Sequence, residues 1–400
     1  MDLEKFVKEN VTGRSESLFA PDIKANADAL SKAIAGKSIL VIGGAGSIGS
    51  SFIKALLPFG PSKLVVLDLN ENGLAELTRD LRSSAAVSMP EVYLTYTLDF
   101  ADPILEDIMH DHKGFDIVAN FSAHKHVRSE KDKYSVEALL KNNVIKARKL
   151  MELLRSYPPE HFFCVSTDKA ANPVNVMGAS KRIMEDLIMA YRPYFKVTTA
   201  RFANVAFSNG SLPAGFFDRM MKRQPLAAPS DVRRYFVSLE ESGQICMLAC
   251  ILGNNGEVFF PRLGQEKMKT FSSICDKFVE AMGYEKYQCA SEDDARQYAA
   301  THLPGPKYPV YYSASNTTGE KDFEEFYVDG ESTDMERFES LGVITNTDNR
   351  STECVNALIE RLEALFAERS FTKADVVALL EEYLPNFAHV EKGLNLDDKM

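Results

Sequence analysis

The chain has 400 residues, and 45% of them are hydrophobic, which is enough for two domains with packed cores. Its formal net charge is −11 and it has no long basic run, which argues against a nucleic-acid-binding surface. No stretch reaches the run of about 20 apolar residues that spans a bilayer, and the N-terminus has no apolar signal sequence. The spacing of the six cysteines favours buried free thiols over a metal site. We therefore expect a cytoplasmic protein without a membrane span, a nucleic-acid partner or a bound metal.

Residues 1–36 precede the first predicted strand. Their apolar residues have helical spacing, as at Leu3, Phe6 and Val7. This pattern predicts a helical arm that lies on the domain or on a neighbouring subunit. A flexible leader is the alternative.

The stretch that follows has the pattern of a strand, a glycine-rich turn and a helix. Residues 39–42 form a short apolar run typical of a buried parallel strand. Gly43, Gly46 and Gly49 follow at three-residue spacing, and 50–57 has a helical pattern. Glycine permits the tight turn and the close approach of a pyrophosphate, and the helix presents free N–H groups to the phosphates. The pattern favours a dinucleotide site.

A second apolar run supports this interpretation. It covers 64–67 and ends in Asp68, where an acid can bind both ribose hydroxyls of an adenosine. Residues 69–78 contain no lysine or arginine to accept a 2′-phosphate. We therefore expect NAD as the cofactor, not NADP.

Strands and helices alternate from Lys37 to Arg201, which is typical of a parallel sheet with right-handed crossovers. Strands are predicted at 38–43, 63–68, 92–96, 116–120, 161–166 and 196–201. Helices are predicted at 47–58, 71–83, 103–110, 134–156 and 177–191. The expected fold is a Rossmann-type, doubly wound parallel α/β sheet.

After Arg201 the alternation stops, and a smaller mixed α/β lobe is expected to bind the substrate. Later segments with clear patterns are a helix at 240–252, a strand at 257–263, and helices at 351–367 and 372–384. The predicted regions are an N-terminal arm (1–36), an NAD-binding domain (37–205), a substrate-binding lobe with some chain returning to the first domain (206–345), and a helical C-terminal tail (346–400).

Polar residues follow the apolar strand at 161–165. Ser166, Thr167, Asp168 and Lys169 lie at the edge where open α/β sheets bind ligands. A carboxyl group beside an amine at that edge can act as an acid and a base. A surface ion pair that closes a loop is the structural alternative.

Six motifs occur along the chain: Gly-Gly-Ala-Gly-Ser-Ile-Gly at 43–49, Lys-His-Val at 125–127, Ser-Thr-Asp-Lys-Ala at 166–170, Asn-Val-Met-Gly-Ala-Ser-Lys-Arg at 175–182, Arg-Phe-Ala-Asn-Val at 201–205 and Gly-Glu-Lys at 319–321. Together they resemble the extended short-chain dehydrogenase/reductase superfamily. Within it they are similar to the CapD-type polysaccharide-biosynthesis group, the nucleotide-sugar 4,6-dehydratases that act on UDP-N-acetylglucosamine. The resemblance covers roughly residues 37–330.

Met177 separates this chain from most of that superfamily. The usual residue four positions before the helix lysine, here Lys181, is a tyrosine that removes a proton from a substrate hydroxyl. A thioether cannot accept a proton, so Met177 is not that base. The CapD-type dehydratases also have methionine there, which argues against a plain epimerase or reductase.

The resemblance implies a mechanism. The sugar C4 loses a hydride to the nicotinamide, Lys169 removes the C5 proton, Asp168 protonates the departing C6 hydroxyl, and the hydride returns to C6. Thr167 bonds the O4 region, and Lys181 holds the nicotinamide ribose. Either Asp168 or a water takes the C4 hydroxyl proton.

The loop pattern and the resemblance together give two sets of binding residues. Those predicted to bind the cofactor are Gly43, Gly46, Ser47, Ile48, Gly49, Asp68, Asp99, Phe100, Ala123 and Lys181. Those predicted to bind the nucleotide-sugar substrate are Lys125, Asn204 and Arg234. A homo-oligomer is also expected.

Three departures from the family pattern fall around the sugar and nucleotide pocket. Thr317-Thr318 stands where the family often has Arg-Pro, His124 replaces an apolar or aromatic residue, and Arg128-Ser129 replaces a proline segment. The resemblance therefore leaves the nucleotide and the sugar open, and an epimerase, a dehydratase that inverts C5 and a non-catalytic dinucleotide-binding protein remain alternatives.

Overall fold

The computed structural model describes residues 1–315, 325–347 and 350–389. Sixteen strands lie within these ranges: β1 Ser38–Ile42, β2 Lys63–Asp68, β3 Val92–Thr97, β4 Ile117–Asn120, β5 His161–Val165, β6 Lys196–Ala200, β7 Asn204–Val205, β8 Leu226–Pro229, β9 Arg233–Arg234, β10 Phe236–Val237, β11 Val258–Pro261, β12 Lys269–Thr270, β13 Glu285–Cys289, β14 Lys307–Ser313, β15 Thr333–Asp334 and β16 Leu341–Ile344.

The α-helices in the described residues are α1 Leu3–Phe6, α2 Ala20–Ala25, α3 Ala27–Ile34, α4 Ser47–Leu56, α5 Glu71–Ser83, α6 Ile104–His112, α7 Lys133–Leu140, α8 Lys146–Ser156, α9 Val176–Ala190, α10 Leu212–Met221, α11 Leu239–Leu252, α12 Phe271–Ala281, α13 Glu292–His302, α14 Thr352–Ala367 and α15 Lys373–Tyr383. Wider π-type turns at 7–12 and 141–145 continue α1 and join α7 to α8. None of the described helices is both long and apolar enough to cross a membrane.

A nine-stranded sheet forms the larger lobe, in the order β15-β16-β11-β6-β5-β4-β1-β2-β3. The seven strands from β11 to β3 run parallel, while β15 and β16 are antiparallel additions at one edge. The first six predicted strands and their intervening helices are confirmed to within about two residues. The fold is the predicted Rossmann-type α/β sheet.

The strand order reverses between β1 and β4, because β2 and β3 lie on one side of β1 and the later strands on the other. Ile42 at the end of β1 pairs with Leu67 of β2 and with Asn120 of β4. The carboxyl ends of these strands therefore meet at one edge. Open α/β sheets bind ligands in the crevice at such a reversal point.

The smaller lobe contains a parallel three-stranded sheet, β13-β14-β8, and has its own hydrophobic core. Phe216 of α10 and Phe278 of α12 are fully buried there. Phe6, Val7 and Val11 of the N-terminal arm belong to the same core. Residues 1–36 are thus largely helical and pack on their own chain.

Helices α14 and α15 cover α8 and α9 of the larger lobe. Arg148 of α8 bonds Glu363 of α14 at 2.9 Å, and Tyr383 of α15 donates to Asp186 of α9 at 3.2 Å. With this cover, 14 of the 15 residues of α9 are buried. The C-terminal helices therefore enclose the helix that carries Met177.

Candidate active site

A cavity of about 360 Å³ opens at the carboxyl edge of the large sheet, between the two lobes. Residues from both lobes line it. All of the predicted catalytic residues do so, and the predicted site residues among its lining are Ile48, Ala123, Lys125, Thr167, Asp168, Lys169, Met177, Lys181 and Asn204.

Thr167, Asp168 and Lys169 form a hydrogen-bonded cluster at the end of β5. Thr167 is the N-cap of a short 3₁₀ turn, and its hydroxyl donates to Asp168 Oδ1 at 2.7 Å. The backbone N–H and the side-chain amine of Lys169 donate to the same oxygen, at 2.9 and 3.1 Å. Asp168 is 3% exposed. The cluster is a partly desolvated carboxyl–amine pair in a cavity, and not a surface ion pair.

The N-terminus of α9 packs directly on this cluster. Asn175 is the N-cap and accepts from Gly178 N–H at 2.7 Å. A Cβ on Gly178 would lie 2.6 Å from the carbonyl oxygen of Lys169, so only glycine allows the two backbones to approach this closely. Met177, 2% exposed, lines the cavity one residue earlier.

Lys181 lies one turn further along α9. Its amine donates to the carbonyl oxygen of Val165 at 2.6 Å and lies 3.1 Å from Met184 Sδ. Burial lowers the pKa of Lys181 below its ordinary value. The amine of Lys181 is thus held at the end of β5, directly before the Thr167–Asp168–Lys169 cluster.

The glycine-rich turn has the geometry that a bound pyrophosphate requires. Gly43 has a φ of +75°, and a Cβ there would lie 2.7 Å from Ser122 N. A Cβ on Gly49 would lie 2.3 Å from the carbonyl oxygen of Gly43. Gly46 is the N-cap of α4 and has no side chain to bond the first N–H groups of that helix. These groups are therefore available to an anion.

Asp68 bridges the turn and the end of β2. Its Oδ2 accepts from Ala45 N–H and its Oδ1 from Asn70 N–H, each at 2.9 Å. A carboxylate has about four lone-pair sites, so two hydroxyl donors can still be accommodated. The residues at this edge fit the adenosine ribose of a dinucleotide.

Asp99 and Phe100 are further from the cavity. Asp99 Oδ2 bonds the amine of Lys146, and its Oδ1 accepts from Ala101 N–H at 2.9 Å. Phe100 is 5% exposed and belongs to the core of the larger lobe. In this structure both residues have structural partners.

Lys125 and His126 follow β4 and line the cavity with Arg128. The amine of Lys125 donates to the carbonyl oxygen of Asn209 at 2.9 Å, and burial lowers its pKa. Burial and the neighbouring Lys125 and Arg128 charges lower the pKa of His126 below its ordinary value. Its imidazole is therefore neutral at pH 7.

Asn204 and Arg234 differ in their relation to the cavity. Asn204 lines it, and its Nδ2 is buried without a hydrogen-bond partner among the described residues. Arg234 is 6% exposed, does not line the cavity and donates to the carbonyl oxygen of Arg233 at 2.9 Å. An unsatisfied buried donor at a cavity wall is a feature that a ligand would satisfy.

One wall of the cavity was not predicted from the sequence. Ser208, Gly210 and Ser211 line it, and Ser211 is the N-cap of α10. A serine two residues before Pro213 is a recognisable start of a helix, so this element could have been predicted. The predicted contributions of Thr317-Thr318 and 319–321 lie outside the described residues.

A buried ionic network lies behind the Thr167–Asp168–Lys169 cluster. Glu185 accepts from the hydroxyl of Ser166 at 2.5 Å and from Arg201 Nη2 at 2.8 Å. Arg201, 1% exposed, also bonds Glu331. Burial alone would raise the pKa of Glu185, but Arg201, Arg182 and the Ser166 hydroxyl together hold the pKa below its ordinary value. The network fixes the residue immediately before Thr167.

Relatives of this chain include proteins with and without an assigned activity. It is 30% identical to an uncharacterized membrane protein of Methanocaldococcus jannaschii over 77% of this chain and 85% of that protein. It is 29% identical to the capsular polysaccharide biosynthesis protein CapD of Staphylococcus aureus, over 66% of this chain but only 43% of that protein's length. It is 28% identical to an inverting UDP-N-acetylglucosamine 4,6-dehydratase of Campylobacter jejuni, over 58% of this chain and 69% of that enzyme.

Solved structures show the same fold at lower identity. Pen from Bacillus thuringiensis matches 83% of this chain and 99% of its own, with a TM-score of 0.61 and 19% identity. WbmF of Bordetella bronchiseptica, in complex with NAD⁺ and UDP, matches 63% of this chain and 80% of its own, with a TM-score of 0.51 and 19% identity. The family model described as polysaccharide biosynthesis protein matches residues 39–346. That match covers most of the chain and includes every residue that lines the cavity. The chain therefore belongs to the polysaccharide biosynthesis protein family.

Proposed function

We propose that this protein is a nucleotide-sugar 4,6-dehydratase. It converts UDP-N-acetylglucosamine, or a close nucleoside-diphosphate hexose, to the 4-keto-6-deoxy sugar for the synthesis of a surface polysaccharide or glycan. The observation that carries the proposal is the Thr167–Asp168–Lys169 cluster in the cavity, with Met177 beside it. The Campylobacter relative named a 4,6-dehydratase supports the reaction class.

Asp168 and Lys169 supply the acid and the base. Dehydration needs a neutral amine to take the C5 proton and a protonated carboxyl to donate to the leaving C6 oxygen. The 3.1 Å hydrogen bond lets the proton move from Lys169 Nζ to Asp168 Oδ1, which converts the ion pair to that neutral pair without changing the total charge.

The remaining side chains orient the sugar and exclude competing chemistry. Thr167 already donates to Asp168, so its hydroxyl oxygen can accept a bond from the substrate near O4. Met177 fills the position from which a tyrosine would remove the hydroxyl proton in an epimerase. We assign the C4 hydroxyl proton to a water in the cavity where Asp168 already holds the proton of Lys169, and to Asp168 where that transfer has not occurred.

The cofactor in this proposal is NAD, for which the glycine turn and Asp68 provide a fitting site. When bound, NAD supplies a hydride acceptor and donor for the sugar. Gly43 and Gly49 allow the backbone to approach a pyrophosphate, and the first turn of α4 directs N–H groups toward it. Ile48 and Ala123 contribute the apolar wall next to the catalytic cluster.

The substrate diphosphate and sugar would occupy the part of the cavity lined by Lys125, Asn204 and Ser211. Lys125 brings a cation, and Asn204 brings a buried donor in need of a partner. Arg234 does not line this cavity, and its assignment as a substrate ligand stays a prediction. The homo-oligomeric state stays a prediction, which light scattering can test.

Mass spectrometry of reactions with UDP-, GDP- and dTDP-sugars tests the proposal. We expect one substrate to lose the mass of one water, with no added cofactor consumed. NMR of the product then gives the configuration at C5 and decides between retention and inversion. Conversion to an isomer of unchanged mass would favour an epimerase. No conversion of any sugar, with NAD bound, would favour a non-catalytic dinucleotide-binding protein.

A further inference from the structure

The N-terminal segment 3–14 precedes the region matched by the family model, which begins at residue 39. It is nonetheless an ordered part of the smaller lobe. Helix α1 continues into a wider turn at 7–12 and ends at Gly13, which has a φ of +67°. We call residues 3–14 the brace.

Phe6 is the central contact of the brace, and it is 3% exposed. Its ring meets that of Phe207 edge to face, with the centroids 5.7 Å apart at 89°. It meets Phe278 of α12 in the same way, at 6.2 Å and 86°. Such aromatic contacts orient a side chain as well as bury it.

Phe207 belongs to the loop 206–211, which forms one wall of the active-site cavity. Its φ is +56°, in the left-handed region that favours glycine and that a bulky side chain adopts only when its surroundings hold it there. Two residues later, the Asn209 N–H donates to Ser47 Oγ at 2.8 Å, and its carbonyl oxygen accepts from Lys125. One loop therefore links the brace, the glycine turn and a substrate-site lysine.

A second cavity, of about 890 Å³, lies on the other side of this loop. Val7 of the brace, Phe207 and Asn209 of the loop, and Ser47 of α4 all line it. The loop thus separates two cavities, while its Phe207 packs in the core of the smaller lobe. Its position depends on the contacts at Phe207 and Asn209.

Arg14 anchors the end of the brace. Its guanidinium donates two bonds to Glu241, at 2.8 and 2.6 Å, and a third to the carbonyl oxygen of Phe236 at 3.1 Å. Glu241 is 2% exposed, and β10, which contains Phe236, pairs with β7 at Asn204. The brace is therefore fixed to the strand pair that carries Asn204.

We propose that the brace holds the loop 206–211 against Ser47 and so completes the substrate site, with Phe6 as a positioning residue. Phe6 acts through Phe207 and does not touch the substrate. The inference rests on the proposed function only for its kinetic readout. The brace lies outside residues 39–346, the region that the family model matches.

The test compares Phe6→Ala with three other variants of the full chain. Phe6→Leu keeps most of the buried volume, Lys5→Ala alters an exposed neighbour, and Val279→Ala removes packing from the same core on α12. If the loop is correctly placed in only a tenth of Phe6→Ala molecules, the KM for the sugar rises about tenfold while kcat changes less than twofold. Phe6→Leu should recover most of this loss, and the other two should keep the wild-type KM.

Hydrogen exchange of 206–211 supplies a readout that does not depend on turnover. We expect faster exchange in Phe6→Ala than in Val279→Ala, even where the two melt at similar temperatures. Wild-type exchange of the loop in Phe6→Ala, or an equal rise in KM in Val279→Ala, would overturn the inference. If the wild type converts no nucleotide sugar, the proposed function fails, and the exchange comparison alone decides whether the brace holds the loop.

Discussion

Lys169 Nζ lies 3.1 Å from Asp168 Oδ1, so two consecutive residues of the chain share a hydrogen bond inside the active-site cavity. Replacing Lys169 with Met removes the base and leaves a side chain of similar length. A positioned general base contributes about 10²–10⁴-fold, so turnover should fall by at least about that factor while NAD and substrate remain bound. Exchange of the C5 hydrogen with deuterated water should stop as well. Lys222→Met, at the exposed C-cap of α10, is the control, and wild-type exchange in Lys169→Met would show that another group is the base.

Asp168→Asn separates the acid from the base. The amide can still accept from Thr167 and Lys169, so the cluster should keep its shape, but it cannot donate a proton to the leaving oxygen. We expect dehydration to fall by about 10²–10⁴-fold. If Lys169 still removes the C5 proton, exchange with deuterated water continues and outpaces water loss. Loss of both processes in equal measure would show that Asp168 is also needed before the C5 step, as the acceptor of the Lys169 proton or of the C4 hydroxyl proton.

Variants of Met177 test which group accepts the proton of the C4 hydroxyl. Leucine has nearly the same volume and is equally unable to accept a proton, so Met177→Leu should keep most activity, at a packing cost below about 1.5 kcal/mol. Tyrosine at this buried position would crowd the cavity, and Met177→Tyr should be slower than the wild type. Turnover of both variants on UDP-N-acetylglucosamine measures this. A faster tyrosine variant would show that removal of the C4 hydroxyl proton limits the rate.

Asp68 controls the choice between NAD and NADP in the proposed site. Asp68→Ala loses both the ribose ligand and the acceptor of Ala45 N–H, and should bind NAD more weakly without unfolding. Asp68→Asn keeps that acceptor but removes the charge that repels a 2′-phosphate, so its affinity for NADP relative to NAD should rise at least about tenfold. Calorimetric titration with both cofactors measures the ratio. An unchanged ratio in Asp68→Asn would place the discrimination elsewhere.

The buried Asp186 should make the free energy of unfolding depend on pH. Burial raises its pKa from 3.8 to about 6, although Arg182 and Arg350 oppose the shift. Because the folded-state pKa is the higher one, the stabilising contribution is full below about pH 4 and is lost as the pH rises through about 6. The unfolding free energy of Asp186→Asn relative to the wild type should therefore rise by about 2–3 kcal/mol between about pH 4 and 7. Urea unfolding at several pH values measures this, with exposed Asp28→Asn as the control; a constant difference would contradict it.

Much of the larger lobe could be predicted from the sequence because its signals are local. The apolar run before Gly43 and the acid at Asp68 lie within one strand–helix–strand unit, and the structure places their ends at one edge. Helix α9 was also predictable, since Asn175 caps it three residues before Gly178. Such features depend on neighbouring residues and on the strand and helix periods.

Other features depend on contacts between distant segments, and no local pattern contains them. Arg201 bonds Glu185 and Glu331, which are 16 and 130 residues away in the chain. The spacing of Leu3, Phe6 and Val7 indicates a helix but not its target, because only the folded chain brings Phe6 to Phe207. The same holds for side-chain direction. The sequence predicts Arg234 as a substrate ligand, but no local pattern gives the direction of its guanidinium, which donates to the carbonyl oxygen of Arg233 among its contacts.

The return of the chain from the smaller lobe has a consequence for biosynthesis. Strand β11 lies between β6 and β16, and β16 is not made until residue 344. Until then the edge of β11, with the buried Phe259 and Phe260, is exposed and can pair with another nascent chain. The ribosome must therefore translate both lobes before the dinucleotide-binding half can complete its sheet, and chains released before residue 341 should aggregate rather than accumulate as a folded domain.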